Sequence, residues 1–139
     1  MIRLFDILIS YLILIFLFPI ILIISILILL FDGCPITFKQ SRVGFNGKKF
    51  NILKFRTMSN SIMKNGKRKI SFLGRFLRRT SLDEIPQFIN ILYNEMSIVG
   101  PRPLPPNIEK KINRSNRTKR RKILPGITGL SQINFTGKN

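Results

Sequence analysis

Apolar residues fill the chain from Ile7 to Phe31 without a single charge, and Asp6 and Asp32 bracket the run. As one α-helix it would reach about 37 Å, against roughly 30 Å of bilayer hydrocarbon. No small-residue cleavage site follows it, so the pattern predicts a retained membrane segment rather than a cleaved leader. Pro19 divides the run into two halves of about 18 Å each and removes a helix hydrogen bond at the division. Two topologies are open on this pattern. One is a kinked helix that spans. The other is a helix–break–helix that enters and leaves by the same face and needs its freed backbone groups covered.

Beyond the apolar run the pattern changes to short alternations and turns. Gly33 and Pro35 punctuate the exit, and Ile36-Thr37-Phe38 is β-prone. Asn46-Gly47, inside Gly44 to Lys48, predicts a hairpin turn, and Phe50 to Phe55 reads as the return strand. Ser59 to Lys69 is polar and basic and reads as a surface loop. From Ile70 to Thr80, Phe72, Leu73, Phe76 and Leu77 recur at helical spacing, with Arg75, Arg78 and Arg79 largely off that face. That predicts a basic amphipathic helix, seated either in a membrane interface or on the protein core.

A central helix is predicted from near Ser81, with Ile85, Phe88, Ile89 and Leu92 on its apolar face. Ser81 and Glu84 have capping-box spacing, but Pro86 conflicts with it. Either Ser81 caps and Pro86 bends the first turn, or Pro86 opens the helix and the box fails. Gly100-Pro101-Arg102-Pro103 predicts a rigid loop carrying one guanidinium. Asn107 to Lys122 predicts a very basic helix, Pro125-Gly126 a turn, and Ile127 to Asn139 a short polar end.

Charge gives these elements an orientation. The 139 residues include 24 Lys and Arg against 6 acids, a net charge of +18. Such a balance predicts nucleic acid, an anionic membrane or polyanionic substrates as partners. Between Gly33 and Leu82 there are 13 Lys and Arg and no acid. The positive-inside rule places that stretch in the cytoplasm, and Arg3 favours the same side for the N-terminus. If both ends lie on one side, the hairpin topology follows; otherwise the kinked spanning helix remains.

The residue types limit the chemistry. There is no His, which excludes imidazole catalysis and His-ligated metals. The single Cys, Cys34, excludes an internal disulfide and a Cys-cluster zinc site. Carboxylates, hydroxyls and cations remain, with any metal held through oxygen. Asp83 and Glu84 stand side by side at or before a helix start, where the helix dipole favours ionised carboxylates. Such a pair most often serves capping. It can also hold a divalent cation, or attack an electrophile as a nucleophile, provided that cations surround an anionic target.

Several stretches match a known pattern in order along the chain. They are Phe38-Lys39-Gln40-Ser41-Arg42-Val43-Gly44, Lys54-Phe55-Arg56-Thr57-Met58, Gly74-Arg75-Phe76-Leu77-Arg78-Arg79 and Thr80-Ser81-Leu82-Asp83-Glu84-Ile85-Pro86-Gln87. Met96 to Pro103 and Pro125-Gly126-Ile127-Thr128-Gly129 complete the set. With these the chain resembles the bacterial sugar transferases, the monotopic phosphoglycosyl transferases that begin polysaccharide and glycoconjugate assembly.

The resemblance implies an α/β fold, mainly α. Residues 1–32 would form a re-entrant membrane helix broken at Pro19. Residues 33–139 would form a small cytoplasmic domain with a β-hairpin and amphipathic interfacial helices, on the inner face of the bacterial cytoplasmic membrane. It implies transfer of a sugar 1-phosphate from a nucleoside diphosphate sugar, usually a UDP-sugar, to polyprenyl (undecaprenyl) phosphate. Asp83 would be the nucleophile, and Glu84 would bind the Mg2+. Arg102 would hold a substrate phosphate, with Lys54, Arg56, Arg75 and Arg79 as further phosphate ligands. An anionic membrane surface is an expected partner, a homodimer is allowed, and nucleic acid is not expected. The chain departs from the pattern at Phe18, where Ser is usual, and at Cys34, where Gly is common. It also reads as C-terminally short after Gln132-Ile133-Asn134. Two other readings follow: an inactive, truncated member acting as a membrane-bound scaffold, and a basic, membrane-tethered module that binds polyanions.

Overall fold

The structure, a computed structural model, describes residues 2–62 and 68–129. It is a mixed α/β fold in which helix outweighs strand. Two helices come first, α1 (Ile2–Phe16) and α2 (Phe18–Phe31), meeting at Leu17 with a bend of 60°. Neither helix is long and apolar enough to cross a membrane alone, though the bent pair together meets the test of length and composition. The break lies two residues before Pro19, which sits in the first turn of α2, where its missing N–H costs no helix bond. Helix α1 also begins earlier than the apolar run, so Asp6 lies inside it and does not bracket it. Much of the pair's surface is bare apolar side chain, including Leu4, Phe5, Phe16, Phe18, Leu30 and Phe31.

The hairpin forms where the Asn-Gly pair places it. Strands β1 (Thr37–Val43) and β2 (Lys49–Phe55) pair antiparallel from Thr37↔Phe55 to Val43↔Lys49. Asn46 and Gly47 take φ of 52° and 77° at its tip. The stretch read as a basic loop carries two short strands at its ends. These are β3 (Met58–Ile62) and β4 (Arg68–Ile70), also antiparallel. Lys67 of the basic run and Gln132-Ile133-Asn134 fall outside the described residues.

Helix α3 (Phe72–Arg79) is capped by Ser71, whose Oγ accepts from the Gly74 amide at 2.9 Å. Gly74 is there for contact. A Cβ on it would lie 2.0 Å from the Thr57 carbonyl oxygen, so only glycine lets α3 press onto the strand end. Leu77 on α3 is buried, whereas Phe72 and Phe76 point outward, so the helix has one apolar side on the core and another exposed.

The capping box fails. Ser81 sits at φ 57° with no side-chain cap, Leu82–Glu84 form one 3₁₀ turn, and Pro86 precedes the short α4 (Gln87–Leu92). The remaining elements are β5 (Ser97–Val99), α5 (Pro106–Glu109), α6 (Arg114–Arg121) and β6 (Gly126–Thr128). The basic stretch is thus two helices, not one. Strands β5 and β6 pair in parallel. Their contact is too close for side chains at its edge, since a Cβ on Gly126 would lie 2.1 Å from the Gly100 nitrogen.

Two apolar clusters form the interior. Ile24, Ile28, Phe55, Leu77 and Ile85 join α2 to β2, α3 and the end of the 3₁₀ turn. Phe50, Ile52, Ile91 and Met96 join the other end of β2 to the end of α4. Strand β2 contributes to both, and its alternation slips between Ile52 and Phe55, leaving Lys54 half-buried at the junction.

Candidate active site

An open cleft of about 400 Å³ lies over that junction, lined by Arg42, Lys54, Thr57, Arg78, Asp83 and Glu84, with Phe38, Gln40, Phe55, Met58 and Ser81. Its chemistry comes from three elements. The hairpin supplies Arg42 and Lys54, α3 supplies Arg78, and the 3₁₀ turn supplies both carboxylates.

The turn is held where strand and helix meet. Asn90 of α4 is almost fully buried. Its Oδ1 accepts from the Leu53 amide at 3.0 Å and its Nδ2 donates to the Asn51 carbonyl at 2.9 Å. One side chain thus takes the place of a neighbouring strand on the edge of β2, which satisfies buried backbone groups there. That fixes α4, and with it the preceding carboxylates, against the strand that carries Lys54. Ser81 is left-handed at φ 57°, an uncommon state for a non-glycine residue, and such states concentrate at functional sites.

Lys54 Nζ donates to Glu84 Oε1 at 2.5 Å, and both side chains are partly exposed. Asp83 is buried, and burial raises its carboxyl above the usual carboxylate range. Lys54 opposes the rise, Glu84 adds to it, and Arg78 opposes it. A carboxylate whose charge is partly desolvated is a stronger nucleophile than a hydrated one, and a buried acid beside charged neighbours in a cleft is a frequent signature of function.

The cations divide into those that reach the cleft and those that do not. Arg102 borders a small adjoining pocket with Arg42, Lys54, Glu84 and Gln87, so its loop shares that pocket with one carboxylate of the pair, Glu84. Arg42 lines both spaces. It donates to the Pro103 carbonyl at 3.2 Å and to Gln40 Oε1 at 2.5 Å. Burial and then the Arg102 charge lower its pKa, against Glu84, so positive charge is crowded here. Arg56 has a different place. It is buried and donates to the carbonyls of Asp32, Gly33 and Cys34 at the end of α2, where a guanidinium suits the helix dipole. Arg75 lies over the Phe72 ring at 5.9 Å, and Arg79 is exposed on α3. Neither lines the cleft.

Sequence reasoning missed Arg78 and Arg42 as site residues. Arg78 Nε donates to Thr57 Oγ1 at 2.8 Å and its side chain lines the cleft, which those of Arg75 and Arg79 do not. Helical spacing alone does not separate Arg75, Arg78 and Arg79, whereas the Thr57 contact does.

The family model described as "Bacterial sugar transferase" matches residues 1–139. The chain is 41% identical over 143 positions to the UDP-glucose:undecaprenyl-phosphate glucose-1-phosphate transferase of Klebsiella pneumoniae, covering 95% of this chain and 30% of that protein. A protein of the same name from Escherichia coli (strain K12) is 41% identical over 140 positions, 93% of this chain and 30% of its own length. The exopolysaccharide production protein ExoY of Sinorhizobium fredii is 37% identical over 163 positions, 99% of this chain and 69% of that protein. The chain therefore spans under a third of the first two relatives and about two thirds of the third.

Proposed function

The chain belongs to the bacterial sugar transferase family, and on that footing we propose that it transfers a sugar 1-phosphate from a UDP-sugar to polyprenyl phosphate. The observation that carries this reading is the cleft itself, a buried, pKa-raised Asp83 beside Glu84 and ringed by Lys54, Arg78 and Arg42. The names of the relatives supply the donor and acceptor classes.

In this reading an Asp83 oxygen attacks the β-phosphorus of the donor. The bond from that phosphorus to the bridging oxygen breaks, and UMP leaves with the electron pair. The sugar phosphate remains on Asp83 as an acyl phosphate. An oxygen of polyprenyl phosphate then attacks the same phosphorus and returns the Asp83 carboxylate. A carboxylate approaching a phosphate meets charge repulsion, which the cleft cations offset as charge builds on the phosphoryl oxygens. Arg102 and Arg42 hold the diphosphate from the adjoining pocket, and Arg78 faces it from α3.

The donor set fits Mg2+. Among the described residues no group of three or more acidic, His or Cys side chains gathers, so the protein offers at most the two adjacent carboxylates. Magnesium is commonly held by one or two carboxylates, completed by substrate phosphates and water. Glu84, already drawn to the Lys54 ammonium, would be the ligand, and bound Mg2+ would neutralise diphosphate charge.

The many exposed apolar side chains of α1 and α2 support a membrane-inserted pair. The 60° bend and the basic stretch after α2 support the re-entrant form, with the cleft on the cytoplasmic side. Exposed Phe72 and Phe76 between arginines on α3 suit an interface with anionic lipid.

UMP release tests the reading. Protein in detergent with Mg2+, undecaprenyl phosphate and a panel of UDP-sugars is expected to release UMP with one of them. Asp83→Asn is expected to release none. With the acceptor left out, label from the donor sugar is expected to stay on the wild-type protein. Equal release by the mutant would overturn the role of Asp83.

A further inference from the structure

Helix α1 carries Arg3, Asp6 and Ser10 on one face of an otherwise apolar stretch, at helical spacing. Asp6 and Ser10 are buried, and the partners of Arg3 and Asp6 lie 88 to 92 positions further along the chain. Asp6 accepts from Ser97 Oγ at 2.7 Å and from the Ile98 amide at 3.2 Å. Arg3 donates to the Ile91 carbonyl at 2.6 Å and the Leu92 carbonyl at 3.3 Å. A buried carboxylate is tolerated only when its oxygens are bonded, and a guanidinium satisfies the carbonyls that a helix leaves open at its end.

The two contacts fall on the two arms of the cleft. Strand β5, held by Asp6, runs straight into Gly100-Pro101-Arg102. Helix α4, held by Arg3, begins just after Asp83 and Glu84. We propose that Arg3 and Asp6 are positioning residues: by gripping α4 and β5 from one helix, they set the gap between the carboxylate pair and Arg102. The inference rests on the transfer reading above. It gives the N-terminal helix a part in catalysis besides anchorage, because the nucleophile and the cation that holds its target are registered against each other through α1. A misplacement of about 1 Å between reacting groups costs on the order of 100-fold in rate.

The test uses the full chain in lipid nanodiscs, in a Cys34→Ser background. Spin labels at Tyr93→Cys and Val99→Cys, both exposed, report the gap between the two arms. Wild type is expected to give one narrow distance. Asp6→Ala is expected to broaden or shift it and to lower kcat on the order of 10- to 100-fold, with donor KM within about two-fold. Asp6→Asn keeps an acceptor for the Ile98 amide and is expected to retain both the narrow distance and most of the rate. Ser97→Ala, which removes one bond, is expected to fall between them. Should Asp6→Ala fail to fold, Ser97→Ala and Asp6→Asn still decide the matter. An unchanged distance in Asp6→Ala, or in Ser97→Ala where the first does not fold, overturns the proposal. So does an Asp6→Asn variant that fails as badly as Asp6→Ala. Wild type that releases no UMP from any UDP-sugar would sink the transfer reading alone, and the label distances would still report whether α1 sets the gap.

Discussion

Asp6 and Asp83 are both buried, and their surroundings are opposite. Asp6 meets a hydroxyl and a backbone amide, each aimed at one of its oxygens, in the seam between α1 and β5. Asp83 opens on a cleft, desolvated enough to hold its proton more tightly than usual, with cations that push the other way. The first arrangement ties two chain segments together, whereas the second leaves the carboxyl facing an open cleft. Burial alone does not tell them apart, and what the carboxyl oxygens meet does.

Substitution at Asp83 is expected to have the largest effect. Asp83→Asn is expected to lower UMP release by at least on the order of 1000-fold. It is also expected to raise the thermal midpoint at neutral pH, because a charge that burial disfavours is gone. The sign follows from the proton count. Between the ordinary carboxyl value, about 3.9, and the raised folded value, the folded protein keeps a proton that the unfolded chain has lost. Wild-type stability therefore falls as pH rises through that window. The mutant's pH–stability curve, measured by thermal denaturation, is expected to lack that fall.

Packing beside the cleft gives the next largest effect. Gly126→Ala forces a Cβ against the Gly100 backbone at the base of the Arg102 loop, and is expected to cost about 3 kcal/mol in denaturant unfolding. Donor binding should weaken with it. The field at Asp83 is then sharpened through Lys54. Lys54→Met removes a charge that lowers the Asp83 pKa, so the acid limb of the rate profile is expected to move to higher pH. A limb that stays in place would show that Lys54 acts on Glu84 alone. The smallest effects separate the arginines of α3. Arg78→Ala is expected to raise donor KM several-fold, while Arg75→Ala and Arg79→Ala stay within about two-fold.

The hairpin was legible because Asn46-Gly47 sets a local turn, and the helix break was legible to within two residues because proline favours the first turn of a helix. Asp83 and Glu84 stood out through scarcity of acid and their place in a recognisable stretch. What stayed hidden depends on distant partners. Pro86 defeated the capping box because Ser81 turns left-handed. Met96 to Val99 carried no strand signal, since β5 exists through its parallel pairing with β6. Arg56 and Arg78 have the same side chain and both sit in matched stretches. One closes the end of α2 and the other meets Thr57 at the cleft, and only the three-dimensional contact decides which. Asp6 looked like the edge of an apolar run because its partners lie more than 90 positions away.

The parallel pairing of β5 with β6 also dictates an order of events during synthesis. Their partners are Ser97 with Gly126 and Val99 with Thr128, so the intervening loop must be complete before the strands can meet. The hairpin closes within its own few residues, and local contacts form before distant ones. A ribosome delivers the chain from the N-terminus, so the wall bearing Lys54 and Asp83 can take shape while the Arg102 wall is still being translated. The nascent chain therefore passes through an interval in which Asp83 stands without Arg102 opposite, and the site is complete only once β6 has paired.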